Sequence, residues 1–249
     1  MGLYRSRPMP FGQRLAASIR QHPLAVSTLN VPKHANVYTC GECDGKVYLI
    51  ESGPIKTLVL SPDGKQCLLS IFTTNDVFGE LCLAGGERVE TATAMEDSVL
   101  KQMACPDFLA LVTGDGLEED FIKYLAIRLA SQQRLIANFA TVDSEHRLAA
   151  ALLQLARRLG KQGPLTWQLE HRISHQELAE MVGTTRPRIC EFMGRFRDLG
   201  LIETTPEGFL IVKEQPLTEY LAVTVQGRHN GHPENNSFKL SNIGQTTLR

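Results

Sequence analysis

The chain has 249 residues, 43% hydrophobic and 21% charged, and Lys+Arg 26 against Asp+Glu 27 leaves a formal net charge of -1. That size and balance suit an ordinary globular protein of two domains, and they exclude the global basic excess of a protein held to nucleic acid or an anionic membrane by charge alone. No apolar run approaches the roughly 20 residues that span a bilayer, and the opening MGLYRSRPMPFGQRLAASIRQHP has no apolar signal core, so a cytoplasmic protein with no membrane partner is expected. Six cysteines (Cys40, Cys43, Cys67, Cys82, Cys105 and Cys190) are scattered along the chain, which argues against a disulfide framework in such a compartment. Cys40-Gly41-Glu42-Cys43 is the one close pair. No second C-x-x-C or H-x-x-x-H completes a metal site, so no metal is expected.

Residues 1–24 read as an N-terminal segment. From about Asn30 to Met103, short alternating or β-branched runs are separated by turn residues, which predicts strands over 37–40, 46–52, 55–61, 66–73, 91–94 and 98–103. Gly41, Asp44-Gly45, Gly53-Pro54, Pro62-Asp63-Gly64, Thr74-Asn75-Asp76 and Ala84-Gly85-Gly86 supply the turns. Six or more short strands at this spacing predict a closed barrel or jelly roll over 25–116.

The period changes at Pro106. Residues 107–112 predict a short helix, and 117–142, free of glycine and proline, predict one helix of about seven turns. Its apolar stripe, Leu125, Leu129, Ile136 and Phe139, exceeds what one β-roll covers and predicts a helix–helix seam in a homodimer. A second helical unit follows from Asp143 to Leu159, and a short strand is expected over 165–169. The end, 223–249, is polar and reads as a flexible tail.

Residues 173–202 read ISHQELAEMVGTTRPRICEFMGRFRDLGLI. Ser174 followed by Glu177 forms a capping box that starts a helix, and Gly183 ends it. Thr185 caps a second helix with Pro187 in its first turn, and Ile189, Phe192, Met193 and Phe196 form the inward stripe. A helix, a tight turn and a second helix make a helix-turn-helix, and Leu201-Ile202 with 209–212 add a wing. Arg186, Arg188 and Glu191 then point outward from the start of the recognition helix, where arginine reads guanine in the major groove. Ser174, His175, Gln176 and Thr185 sit at the two helix starts, placed to position the DNA backbone. The winged helix-turn-helix spans 143–222, and double-stranded DNA is the expected partner.

With β unit, long helix and winged helix in this order, the chain resembles the Crp/Fnr superfamily of bacterial transcription regulators, named for the catabolite activator protein. The resemblance covers roughly residues 25–222. It is carried by Phe78-Gly79-Glu80-Leu81-Cys82-Leu83, which matches the start of the cyclic-nucleotide cassette, by Gly64, by 143–147 at the domain junction, and by the helix-turn-helix. It implies an α+β homodimer, RNA polymerase as a partner, and an effector pocket between β-roll and long helix. That pocket is formed here by Gly79, Glu80, Leu81, Arg88, Val89, Glu90, Gln132 and Gln133. In cyclic-nucleotide members a glutamate holds the ribose and an arginine followed by Ser/Thr holds the phosphate.

Glu80 and Arg88 match those residues, but Val89 and Glu90 follow Arg88, and Gln132-Gln133 stand where Thr-Ser meets the base. Glu90 shares a strand face with Arg88, so an internal Arg88–Glu90 ion pair is expected to fill the phosphate site. The effector is therefore left unassigned and cyclic nucleotide is not favoured. A cAMP- or cGMP-responsive regulator is the alternative. An iron–sulfur input lacks its N-terminal cysteines, and heme has only His34 as a nearby ligand. An enzyme on a cupin-like barrel would need several inward histidines, and the β region has only His34. A signalling module whose winged helix binds protein is the remaining class.

Overall fold

The computed structural model describes residues 10–21 and 26–227. Of the expected flexible tail, residues 228–249 lie outside the described residues, while 223–227 continue a helix.

The first half comprises α1 (Pro10–Gln21), β1 (Ser27–Val31), β2 (Asn36–Tyr38), β3 (Lys46–Ser52), β4 (Ile55–Leu60), β5 (Gln66–Phe72), β6 (Val77–Phe78), a 3-10 turn (Glu80–Ala84), β7 (Thr91–Ala94) and β8 (Ser98–Ala104). Two antiparallel four-stranded sheets, ordered β1-β8-β3-β6 and β2-β7-β4-β5, form the expected β-roll. Strand alternation explains the layers. On β3, Tyr48 and Ile50 join Tyr38, Phe72, Phe78 and Leu100 inside the roll. Val47 and Leu49 face the other way, into a core shared with helices. β1 and the two-residue β6 were not expected, because one is polar and the other too short to show a period.

Those helices are α1, α2 (Cys105–Gly114) and α3 (Glu118–Thr141). α1 was not foreseen. Its Phe11 ring packs 6.3 Å from Phe108, 5.2 Å from Phe121 and 5.4 Å from Tyr124, which pins the start of α3. The approach is tight at Gly12, where any Cβ would collide with the Asn75 carbonyl oxygen. The Tyr124 hydroxyl donates to the Val77 carbonyl oxygen. Beyond this anchor the outer face of α3 is bare in the single chain, with Ile122, Leu125, Leu129 and Ile136 at 65%, 36%, 58% and 68% exposure.

The second half holds α4 (Ser144–Leu159), β9 (Gly160–Gln162), β10 (Thr166–Leu169), α5 (His175–Val182), α6 (Arg186–Asp198), β11 (Ile202–Thr204), β12 (Leu210–Lys213) and α7 (Glu214–Gly227). The sheet order is β11-β12-β10-β9. One core, including Leu148, Leu152, Leu178, Ile189, Phe196 and Val212, fills this half. Leu68, Ile71 and Met95 of the β-roll join that same core. Ion pairs flank the contact, Lys56–Glu177 at 2.8 Å and Arg158–Asp76 at 2.7 Å, and His171 Nδ1 lies 3.1 Å from Glu96 Oε1. α7 replaces the start of the expected tail, and its Leu217 is fully buried.

The cysteine expectation needs one correction. Cys82, in the 3-10 turn, is disulfide-bonded to Cys105, the first residue of α2. Residues 23 apart in sequence meet because α2 packs on the turn, a proximity that spacing alone does not reveal.

At the α3–α4 junction, Arg147 Nη1 and Nε donate to the carbonyl oxygens of Val142 at 2.5 Å and Val182 at 2.8 Å, and its guanidinium lies 5.0 Å from the Phe139 ring centroid. Phe139, expected in the dimer seam, thus touches its own chain's helix-turn-helix while staying 36% exposed, as much as Leu125. Gly183 lies at φ 65°, and a Cβ there would come within 2.5 Å of Phe139 Cε1. Gly183→Ala is expected to destabilise by about 1–2 kcal/mol from the left-handed backbone alone, with displacement of Phe139 adding to it. Chemical denaturation checks this, and an unchanged midpoint would contradict it.

Candidate DNA interface and effector pocket

The capping box forms as the sequence predicts. Ser174 accepts from Glu177 N–H at 3.2 Å, and Ser174 N–H donates to Glu177 Oε2 at 2.9 Å. Gly183, left-handed, ends α5 after Val182. Thr185 stands at the N-cap of α6 with extended backbone but makes no side-chain capping hydrogen bond, so the expected side-chain cap is not formed, and the residue is exposed. Pro187 occupies the first turn of α6, where no amide donor is needed. Ile189, Phe192, Met193 and Phe196 are buried, which turns Thr185, Arg186, Arg188, Cys190 and Glu191 to solvent.

The remaining interface residues divide. Ser174 and Gln176 are exposed at the start of α5. Gln176 donates to Glu180 at 2.9 Å. His175 is half-buried, and its Nδ1 lies 3.1 Å from Cys190 Sγ on α6. Burial, with Arg197 and Arg186 nearby, pushes its imidazole below the usual range, which keeps it neutral at physiological pH. The Glu177 carboxylate is held below its ordinary range by Lys56 and by the Ser174 hydrogen bonds, which outweigh its burial.

The effector pocket departs from expectation in its pairing. Arg88 and Glu90 are both buried, at 5% and 6% exposure, and Val89 is 62% exposed, although the three residues precede β7 instead of forming part of it. Arg88 and Glu90 do not pair. Arg88 binds Asp44, with Nη2 at 2.5 Å and Nε at 2.7 Å from Oδ1. It also donates to the carbonyl oxygens of Gly79 at 2.6 Å and Lys46 at 2.5 Å. Its guanidinium lies 4.1 Å from the Tyr38 centroid, and the Tyr38 hydroxyl donates 3.0 Å to Glu90. Tyr38 thus contacts both charges that sequence reasoning joined, Arg88 over its ring and Glu90 at its hydroxyl. Burial, with Glu90 beside it, pushes the Tyr38 hydroxyl far up, so it stays a donor.

Glu80, 7% exposed, binds Arg128 of α3 at 2.6 Å. Arg128 lies 4.8 Å from the Phe72 ring centroid and donates 3.2 Å to the Tyr124 hydroxyl. Burial raises the Glu80 carboxyl above its ordinary range even though Arg128 pulls it down. Sequence reasoning missed Arg128 and Asp44; an arginine one helical turn before Gln132 was the available signal. Gln132 and Gln133 are exposed on α3, and Leu81 is 45% exposed outside the pocket. Gly79 adopts φ 81°, with Arg88 closing on its carbonyl.

Two regions of the chain match known domain models. Residues 28–115 match the cyclic nucleotide-binding domain and 146–220 the Crp-like helix-turn-helix domain. The chain is 30% identical over 192 residues to the CRP-like cAMP-activated global transcriptional regulator of Mycobacterium tuberculosis, covering 76% of this chain and 85% of that one. It is 28% identical over 193 residues to the Cyclic AMP receptor protein of Thermus thermophilus, covering 77% and 86%. The solved structure of FixK2 from Bradyrhizobium japonicum shares the fold, with a TM-score of 0.69 at 17% identity over 79% of this chain and 97% of that one. With both domain models matched in this order and a relative 30% identical over most of its length, the chain belongs to the Crp/Fnr family and is a DNA-binding transcription regulator, not an enzyme.

Proposed function

We propose that the protein works as a homodimer on a two-fold operator and binds it without a cyclic-nucleotide requirement. The observation that carries this reading is the pocket filled by the chain's own side chains. Arg88 is committed to Asp44 and two carbonyl oxygens, and Glu80 to Arg128. A nucleotide phosphate would have to displace Asp44, and a ribose would have to displace Arg128, each at the cost of unpairing a partly buried charge. The alternative, a cAMP-responsive regulator, draws support from the names of the two bacterial relatives.

The bare stripe Leu125, Leu129 and Ile136, with Ile122, supports a parallel seam along α3. In this reading residues 25–116 form the effector-like unit, 117–142 the dimer helix and 143–222 the DNA-binding unit. Arg186, Arg188 and Glu191 read bases, while Ser174, His175, Gln176 and Thr185 position the phosphates. The setting is the cytoplasm, with RNA polymerase as the further partner.

Selection of bound DNA from random duplexes tests the reading directly. The expected outcome is a pseudo-palindrome with half-sites about one helical turn apart. Adding cAMP or cGMP is expected to change operator affinity less than about threefold, a coupling under roughly 0.7 kcal/mol. Asymmetric selected sites would count against the dimer, and a tenfold gain with micromolar nucleotide binding would favour the alternative.

Arg186→Ala is expected to weaken the best site by about 1–3 kcal/mol and to relax preference at one base pair per half-site. Equal loss on cognate and scrambled duplexes, measured by fluorescence anisotropy, would remove its base-reading role.

Arg128→Met tests the internal pair. It strands Glu80, at a cost of up to about 3–5 kcal/mol near neutral pH. The sign follows from Glu80: its carboxyl is already raised in the folded protein, and losing Arg128 raises it further. The variant's deficit is therefore smallest in acid, where Glu80 carries a proton, and grows as pH rises through the folded-state value. Glu80→Gln/Arg128→Met should lose this pH dependence in thermal melts; a deficit that shrinks with rising pH would contradict the pairing.

A further inference from the structure

The unexpected helix α7 reaches the recognition helix through one tyrosine. The Tyr220 hydroxyl donates 3.0 Å to Glu145 Oε1 on the first turn of α4. Both Glu145 oxygens accept from Arg195 Nη1, at 3.0 and 2.7 Å, and Arg195 Nη2 lies 3.4 Å from Glu191 Oε1. The Tyr220 ring is itself fixed, stacked 5.3 Å from His146 and edge-on 5.5 Å from Phe196, a core residue of α6. Three helices thereby converge on Arg195.

Arg195 is a half-exposed cation on the recognition helix, one turn beyond Glu191. Left free, such a cation would take the nearest DNA phosphate, a contact that adds affinity on every sequence and reads none. Glu145, with only 14% of its side chain exposed, competes for it from inside the protein. An exposed Glu–Arg pair one turn apart holds a carboxylate loosely by itself. Once its arginine is anchored from behind, Glu191 presents its carboxylate against a fixed donor. A fixed carboxylate accepts from the cytosine amino group and disfavours bases that present only acceptors there.

We propose that Tyr220 and Glu145 are specificity-positioning residues: they hold Arg195 away from the DNA backbone and against Glu191, so that an otherwise sequence-blind cation braces a base reader. This rests on the reading of Glu191 as a base contact and names what sets its geometry. α7, which follows the wing in sequence, thus serves the recognition helix from the side opposite the groove.

The test uses the full chain and its selected operator, that operator varied one base pair at a time, and a scrambled duplex, each titrated at several salt concentrations. Glu191→Ala first identifies the base pair that Glu191 reads. Glu145→Gln is expected to lower discrimination at that same base pair about fivefold. It should also raise affinity for the scrambled duplex and steepen the log–log salt slope by about one per protomer, because Arg195 is released to phosphate. Tyr220→Phe, which keeps the ring packing and removes only the hydroxyl, should move all three readouts the same way by a smaller amount. Adding Arg195→Gln to Glu145→Gln should abolish the slope increase.

A uniform loss of affinity in Glu145→Gln and Tyr220→Phe, with an unchanged slope, would reduce both residues to scaffolding and overturn the proposal. If Glu191→Ala relaxes a base pair but neither variant does, the positioning role falls and the base contact stands. If Glu191→Ala relaxes none, the base contact falls and takes the positioning role with it.

Discussion

Glu80 and Arg128 face each other at 2.6 Å in a place that little water reaches, and the relation of β-roll to long helix depends on that contact. Taking two such ions out of water costs several kcal/mol each, so the pair persists only if every remaining valence is used. Here the guanidinium also has the face of Phe72 and the oxygen of Tyr124. These partners are available together only when α3 sits in one register against the β-roll. α1 reinforces that register by packing Phe11 on Phe121 and Tyr124.

Phe72 extends the arrangement toward the DNA-binding half. Arg128 approaches its ring, and so does Arg158 of α4, at 5.6 Å, while Arg158 pairs with Asp76. The aromatic face is thus shared by the long helix and by the first helix of the winged unit. Arg147 of α4 makes a second fastening at the other end of the junction, joining the residue that follows α3 to the last residue of α5. Lys56 and Glu177 add a third, between β4 and the start of α5. The winged unit is therefore seated on the β-roll by packing and matched charge together, with Leu68, Ile71 and Met95 filling the seam.

Much of this was legible because the signals were local. Strand alternation over residues 46–52 and 91–94, the Ser174–Glu177 capping box and the turn glycine each state their own geometry within a few residues. α1 carried a signal too, in Phe11, Leu15 and Ile19 at four-residue steps, but in a segment judged by its lack of a signal core. α7 was masked by Pro216 and by Val and Thr, although Leu217 and Tyr220 are one turn apart and both pack inward. The pocket misled for a different reason. The expected shared face says that Arg88 and Glu90 point the same way, and nothing about Tyr38 contacting each of them or about Asp44 arriving from another loop. Partners distant in sequence, Arg128 for Glu80 and Cys105 for Cys82, have no local period to betray them.

The matched charges in the pocket also constrain how this sequence can drift. Replacing Asp44 alone strands Arg88, and replacing Arg128 alone strands Glu80, so each single step passes through a less stable protein. Neutral change in this region must come in pairs, across loops and helices 40 or more residues apart in the chain. In a lineage of such proteins, positions 44 and 88, and 80 and 128, should therefore be inherited as couples, and a descendant that reopened the cavity to a ligand would have to release both couples at nearly the same time.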